Sequence, residues 1–266
     1  MTDATGTTGT TDTTGTTGRR DADEEVQRTP EELAALAGGR GLVLRIVRHA
    51  ETVYNTQHVM QGWSDSPITE RGTEQIAAVA RHLASKRFDL AFSSDLQRTR
   101  TTMAGILAEL DPQPPLEHLE SLREWNFGGH EERPSFEVWS EVIAAQGLEV
   151  DRELTALRSI ADRIGWRGLF DAVAQSDVSG QAEQAAAIVL RADAALAHVV
   201  KAAAALPGEH EAQVLVVSHG GFITSLLRQL VPEVTPDVIL PNCSVSTVAL
   251  PAGSTAWELR AVGETA

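Results

Sequence analysis

Cysteine is almost missing from this chain of 266 residues: Cys243 stands alone, which excludes an internal disulfide and leaves the redox compartment open. It lies between Pro241-Asn242 and an apolar stretch, a setting for a buried structural thiol rather than a nucleophile. Cations are also scarce. Lysine and arginine total 22 against 37 aspartates and glutamates, and the net charge of −15 disfavours a nucleic-acid partner. No apolar run is long enough to span a membrane and the N-terminus lacks a signal-peptide core, so no membrane association and a cytoplasmic location are expected. Metal-ligand spacing of the HExxH kind is absent, so a metal site built from His49, Glu51, His130 and His219 is disfavoured, and no metal is expected.

What is present concentrates in two stretches. Leu42, Val43, Leu44, Ile46 and Val47 form a short apolar run after Gly-Gly-Arg-Gly, the pattern of a buried central strand. It stops at Arg48-His49-Ala50-Glu51-Thr52, and in open α/β sheets ligands sit beyond the carboxyl ends of strands. Taken alone, these polar residues fit a strand cap as well as a ligand site. Val214 to Val217 is a second apolar strand, and it ends at Ser218-His219-Gly220-Gly221 before an apolar helix over Phe222 to Leu230. Two strands thus each deliver a histidine to their C-terminal end, in a chain with eight.

The rest of the chain alternates strands and helices, which predicts a three-layer α/β/α sandwich with a mostly parallel sheet. Residues 1–28 read as a disordered Thr/Gly-rich tail and linker, because ten Thr and four Gly in the first 18 residues cannot repay the entropy of ordering. Residues 29–266 read as one domain. Thr29-Pro30-Glu31-Glu32 starts a helix, Thr69 caps another to about Ser85, and Ser94 or Asp95 caps a third to about Leu110. Strands are expected at Leu90–Phe92, Leu116–Leu119, Val245–Leu250 and Trp257–Val262, the last two antiparallel across Pro251-Ala252-Gly253-Ser254. An Ala-rich helix spans Gln181 to Leu206. Between them, residues of about 131–180 show helical periodicity broken by Gly147, Gly165 and Gly168, and read as an inserted helical cap.

Arg48-His49-Ala50-Glu51-Thr52 with Asn55 resembles the RHGE signature of the histidine phosphatase superfamily, in its phosphoglycerate-mutase-like branch. Ala50 stands where the signature has Gly. Further segments match in order: Gln61-Gly62-Trp63, Asp65 to Thr69, Ser93 to Thr99, Leu122 to Trp125, Ser218 to Gly221, and Asn242 to Val245. The resemblance implies that His49 is a nucleophile forming a phosphohistidine, that Arg48 and Arg98 clamp the phosphoryl oxygens, and that His219 donates to the same oxygens. It implies Glu124 as the general acid, a role that suits a partly buried carboxylate. Asn55, Gln61, Gly62 and Gly220 are the further phosphate-binding candidates, and Glu51 would orient Arg48 or His49. Without the resemblance, Arg98 reads as a helix-surface partner of Asp95 and Glu124 as a partner of Arg123. The Glu-Gly pair usual downstream of the acid is replaced here by Glu131-Glu132.

The implied activity is a phosphatase for a small phosphorylated metabolite, with no cofactor. Alternatives are a phosphoglycerate-type phosphomutase, disfavoured by the short segment after the last strand, and an inactive phosphoester-binding module. Homodimerisation stays open, and no motif in the cap names the substrate.

Overall fold

Leu42–Arg48 and Ala212–Ser218 lie side by side and parallel, paired residue for residue from Leu42↔Ala212 to Arg48↔Ser218. The protein is described here by a computed structural model covering residues 27–234 and 240–266. The Thr/Gly-rich stretch of residues 1–26 lies outside the described residues. Gln27 and Arg28, at the end of the expected linker, are bonded to the domain: Arg167 Nη2 donates to Gln27 Oε1 at 2.9 Å, and the Arg28 amide donates to Asp193 Oδ1 at 3.0 Å.

In chain order the elements are α1 (Pro30–Ala35), β1 (Leu42–Arg48), α2 (Val53–Thr56), α3 (Glu70–Leu83), β2 (Leu90–Ser94), α4 (Gln97–Leu107) and β3 (Leu116–Leu119). Then follow α5 (Ser135–Ala145), α6 (Ala156–Ser176), α7 (Ala185–Ala204), β4 (Ala212–Ser218), α8 (Gly220–Leu230), β5 (Val245–Leu250) and β6 (Glu258–Glu264). The strands form one sheet in the order β3-β2-β4-β1-β5-β6. The first four are mutually parallel, while β5 runs antiparallel to β1 and β6 antiparallel to β5.

Alternation along the central strands builds the three layers, because successive strand side chains leave opposite faces. Leu44, Ile46, Val214 and Val216 join Leu33, Ile188, Leu196, Val200 and Phe222 in one core, beneath α1, α7 and α8. Val47, Leu215 and Val217 join Val79, Leu83, Met103 and Ile106 in the other, beneath α3 and α4. Each fully buried aliphatic side chain contributes roughly 1.5–3 kcal/mol, so the sheet centre is stabilised from both faces. The catalytic candidates stand at its C-terminal rim. Among the described residues no helix is long and apolar enough to cross a membrane.

Local signals set most helix starts. Thr29 and Glu32 form a reciprocal capping box, and the Thr69 hydroxyl accepts the Gly72 amide at 2.9 Å. Two starts differ from expectation. The cap position of α4 is Leu96, not Ser94 or Asp95, and the helix is capped by Asp65 from a distant loop. Helix α7 begins at Ala185 rather than Gln181, because the Asp177 carboxylate gathers the amides of Ser179, Gln181 and Ala182 into a turn. Burial pushes the Asp177 pKa up, but the hydroxyl and amide of Ser179 and the amides of Ala182 and Gln181 outweigh it and hold the group well below the usual carboxylate range. Residues 131–180 carry α5 and α6, and α6 is kinked at Gly165, whose φ of 70° suits glycine.

Candidate active site

Because β1 and β4 end in register at Arg48↔Ser218, the next residue of each emerges at the same place. The imidazoles of His49 and His219 face each other with ring centroids 5.2 Å apart and planes inclined by 58°. The His49 amide donates to Ser218 O at 2.9 Å, which locks the two strand ends together. Both rings are buried. His49 Nδ1 lies 2.8 Å from Ala50 O, and only a protonated Nδ1 can donate to a carbonyl, so the lone pair is on Nε2. Burial first, then the Arg98 and Arg48 charges, holds His49 well below the ordinary imidazole pKa, with the Ala50 bond opposing. His219 is held low by burial and then by Arg98, His49, Arg191 and Arg48. Both rings are neutral at pH 7.

Arg98 rises from the first turn of α4 and is fully buried, yet its terminal nitrogens are tied down. Nη1 donates to Ser64 O and Asp65 Oδ1, each at 2.8 Å, and Nη2 to Gly62 O at 2.5 Å. Arg48 Nη1 donates to Leu240 O at 2.5 Å. Arg48 Nε, Arg98 Nε and both ring nitrogens of His219 are buried with no hydrogen-bond partner among the described residues. A buried polar group left unpaired costs about 1–3 kcal/mol. Arg98 and Arg48 both act electrostatically on His49, and the unpaired atoms leave one N–H each on Arg48, Arg98 and the neutral His219 ring free to donate.

Glu124 acts electrostatically on Arg48 and Arg98 and is 8% exposed. Its Oε1 accepts the amides of Phe222 at 2.8 Å and Trp125 at 3.0 Å, and its Oε2 accepts the Gly221 amide at 3.0 Å. The carboxylate thus caps the N-terminus of α8, the helix His219 opens. The Gly pair has a steric reason: a Cβ on Gly221 would lie 3.0 Å from Glu124 Oε1, and one on Gly220 would lie 3.3 Å from Arg48 Nε. Beside Arg48 and Glu124 opens a cleft of about 370 Å³, walled by Trp166, Leu169 and Phe170 of α6 and by Thr224 and Arg228 of α8.

The remaining candidates build the frame. Asn55 Oδ1 accepts from the Thr52 amide at 3.2 Å and from Asn242 Nδ2 at 3.1 Å, and Asn242 also donates to His49 O. Gln61 braces the first loop, accepting from the Thr52 hydroxyl and donating to Ser66 Oγ. The Gly62 amide is engaged by Glu131 Oε2 at 3.0 Å, and its carbonyl holds Arg98. Glu51 reaches neither Arg48 nor His49; its carboxylate accepts from the Thr69 hydroxyl at 2.8 Å and meets Arg71. Asp95 pairs with Arg123 rather than Arg98, so neither local ion pair that sequence spacing offered is formed. His130 bonds Ser176 and Arg133 and belongs to the cap junction, away from His49 and His219.

Sequence reading missed three groups. Glu131 accepts from the amides of Gly62, Trp63, Ser64 and Phe127 and the Ser64 hydroxyl, so it organises the loop that supplies the acceptors for Arg98. Its neighbour Glu132 holds a φ of 65°, a conformation suited to glycine. Asp65 does double duty for Arg98. Arg191 and Glu183 lie behind the loop of residues 123–126, and no local signal in the sequence marks them.

The α/β sandwich thus gathers two neutral histidines, two arginines and a carboxylate around the C-terminal ends of β1 and β4. The model of the histidine phosphatase superfamily (branch 1) matches residues 44–264, and the chain belongs to that superfamily as an enzyme of the histidine phosphatase class. It is 34% identical over 203 residues to fructose-2,6-bisphosphatase TIGAR of Bos taurus, covering 69% of this chain and 74% of that one. It is 30% identical over 233 residues to the probable phosphoglycerate mutase GpmB of Yersinia enterocolitica, covering 83% and 92%. A phosphoglycerate mutase structure from Bacillus anthracis superposes with a TM-score of 0.75 at 28% identity, over 86% of this chain and 95% of that one.

Proposed function

We propose that this chain hydrolyses a small phosphorylated metabolite, with His49 as nucleophile and Glu124 as proton donor. The observation that carries the reading is the set of unpaired buried nitrogens on Arg48, Arg98 and His219 around a neutral His49. In the first step His49 Nε2 bonds to phosphorus, the bond to the leaving oxygen breaks, and Glu124 gives that oxygen its proton. In the second step Glu124 takes a proton from water, the water oxygen bonds to phosphorus, and the P–N bond breaks to release inorganic phosphate. The arginine nitrogens and His219 take the equatorial oxygens, where charge shifts during transfer. The positive charge comes from guanidinium groups, so the reading needs no metal or cofactor.

The aromatic and aliphatic wall of α6 beside Glu124 supports a further part of the reading. Residues of about 131–180 act as a cap that selects the leaving group. A cytoplasmic location fits such a substrate. Purified protein assayed against sugar, glycerate and nucleotide monophosphates should release inorganic phosphate from at least one class. Transfer of the phosphoryl group to a second metabolite position, with no phosphate release from any substrate, would replace this reading with a mutase.

A further inference from the structure

The general-acid loop is held from behind by one ion pair. Arg191 of α7 donates from Nη1 to Arg123 O at 2.6 Å and to Ser121 O at 3.3 Å, and from Nη2 to Glu124 O at 3.1 Å. Its Nε and Nη2 also bind the two oxygens of Glu183, at 3.0 and 2.7 Å. Glu183 in turn accepts the Asn126 amide at 2.8 Å through its carboxylate and the Trp125 indole N–H at 2.8 Å through its carbonyl, and its own amide donates to Asn126 O at 2.9 Å. Every residue from Arg123 to Asn126 is therefore bonded to this pair. The Arg191 guanidinium carbon also lies 4.4 Å from the Phe222 ring centroid, and the Phe222 amide is one of the three that grip the Glu124 carboxylate. The pair is largely buried, with side-chain exposures of 15% for Arg191 and 16% for Glu183.

We infer that Arg191, oriented by Glu183, is a positioning residue that sets the aim of the Glu124 carboxylate toward the leaving-group oxygen. The inference rests on the reading of Glu124 as the proton donor. Planar guanidinium geometry is what the task requires, since three carbonyls and a carboxylate are satisfied by one fork of donors. A lysine could serve one or two of them. Removal of Arg191 leaves the loop carbonyls without their donor, while the side-chain hydrogen bonds of His49, Arg48 and Arg98 do not involve it. A displacement of about 1 Å at the acid costs on the order of 10²-fold where proton transfer matters. It costs little where the leaving group needs no proton.

The test is a leaving-group series on the full chain, reading kcat/KM, which stops at phosphoenzyme formation. Arg191→Met keeps the aliphatic stem and removes the fork. It should lose about 10–100-fold on alkyl phosphates and less than about threefold on p-nitrophenyl phosphate. Arg191→Lys should fall between Arg191→Met and the unaltered enzyme. Glu183→Gln, which keeps the shape, should share the pattern if Arg191→Met fails to fold. Glu124→Gln is run in parallel, and adding Arg191→Met to it should produce no further leaving-group dependence. An equal loss on alkyl and aryl phosphates in both Arg191→Met and Glu183→Gln, with Glu124→Gln still selective for aryl phosphates, would overturn the inference and leave the proton-donor reading standing. A Glu124→Gln variant that treats all leaving groups alike would overturn that reading first, and the inference with it.

Discussion

Asp65 and Arg98 are joined twice: the Asp65 carboxylate accepts from Arg98 Nη1 at 2.8 Å and also from the amides of Gln97 and Arg98 that open α4. One carboxylate therefore both starts the helix that carries the arginine and neutralises its buried charge. Asp65→Asn should destabilise the protein by roughly 3 kcal/mol, since it strands a buried cation, and should raise KM for any phosphoester. Asp95→Asn breaks the more open Arg123 pair and should cost about 1 kcal/mol or less. Urea denaturation of the two variants checks this, and equal losses would contradict it.

Glu131 and Glu132 are adjacent carboxylates with opposite predicted effects. Glu131→Ala leaves four amides of the Gly62–Ser64 and Phe127 loops without an acceptor and should cost about 2–4 kcal/mol. Glu132→Gly relieves a left-handed backbone and should gain about 0.5 kcal/mol after the entropy of the added glycine. Thermal melts of both variants decide the signs.

Acid should weaken the fold through the two histidines. Their folded pKa values lie well below the unfolded imidazole value of 6.5, so the neutral rings favour the folded state fully above pH 6.5. As pH falls below 6.5 the unfolded chain binds protons first, and each ring costs about 1.4 kcal/mol per pH unit until its folded pKa is reached. Urea midpoints at pH 7 and pH 5 should therefore differ less in His219→Gln than in the unaltered protein. Identical differences would contradict the buried neutral state.

His219→Ala should lower kcat by roughly 10²–10³ while phosphoenzyme still forms, because it removes one oxyanion donor and keeps the nucleophile. Complete loss of phosphoenzyme in a folded His219→Ala protein would give His219 a larger part than donor.

Much of this arrangement is legible in the sequence because it is local. The apolar runs before Arg48-His49 and Ser218-His219 announce two central strands, and the Gly pair announces the helix behind Glu124. The frame is less legible because it is made of contacts between distant segments. Arg98 sits three residues after Asp95 yet pairs with Asp65, since the α4 N-terminus faces the Gly62–Asp65 loop rather than solvent. Glu51 follows the signature histidine but turns toward Thr69. The start of α7 could not be read from its Ala-rich composition, because Asp177 captures the preceding amides. Arg191 is invisible without knowing that the acid loop crosses its helix.

The central claim is that His49 carries the phosphoryl group. Enzyme mixed with labelled substrate, quenched within milliseconds and digested, should yield an acid-labile, base-stable phosphopeptide containing residues 42–55, and His49→Ala should yield none. Label on His219 or Glu51, or turnover with no labelled residue, would contradict the account.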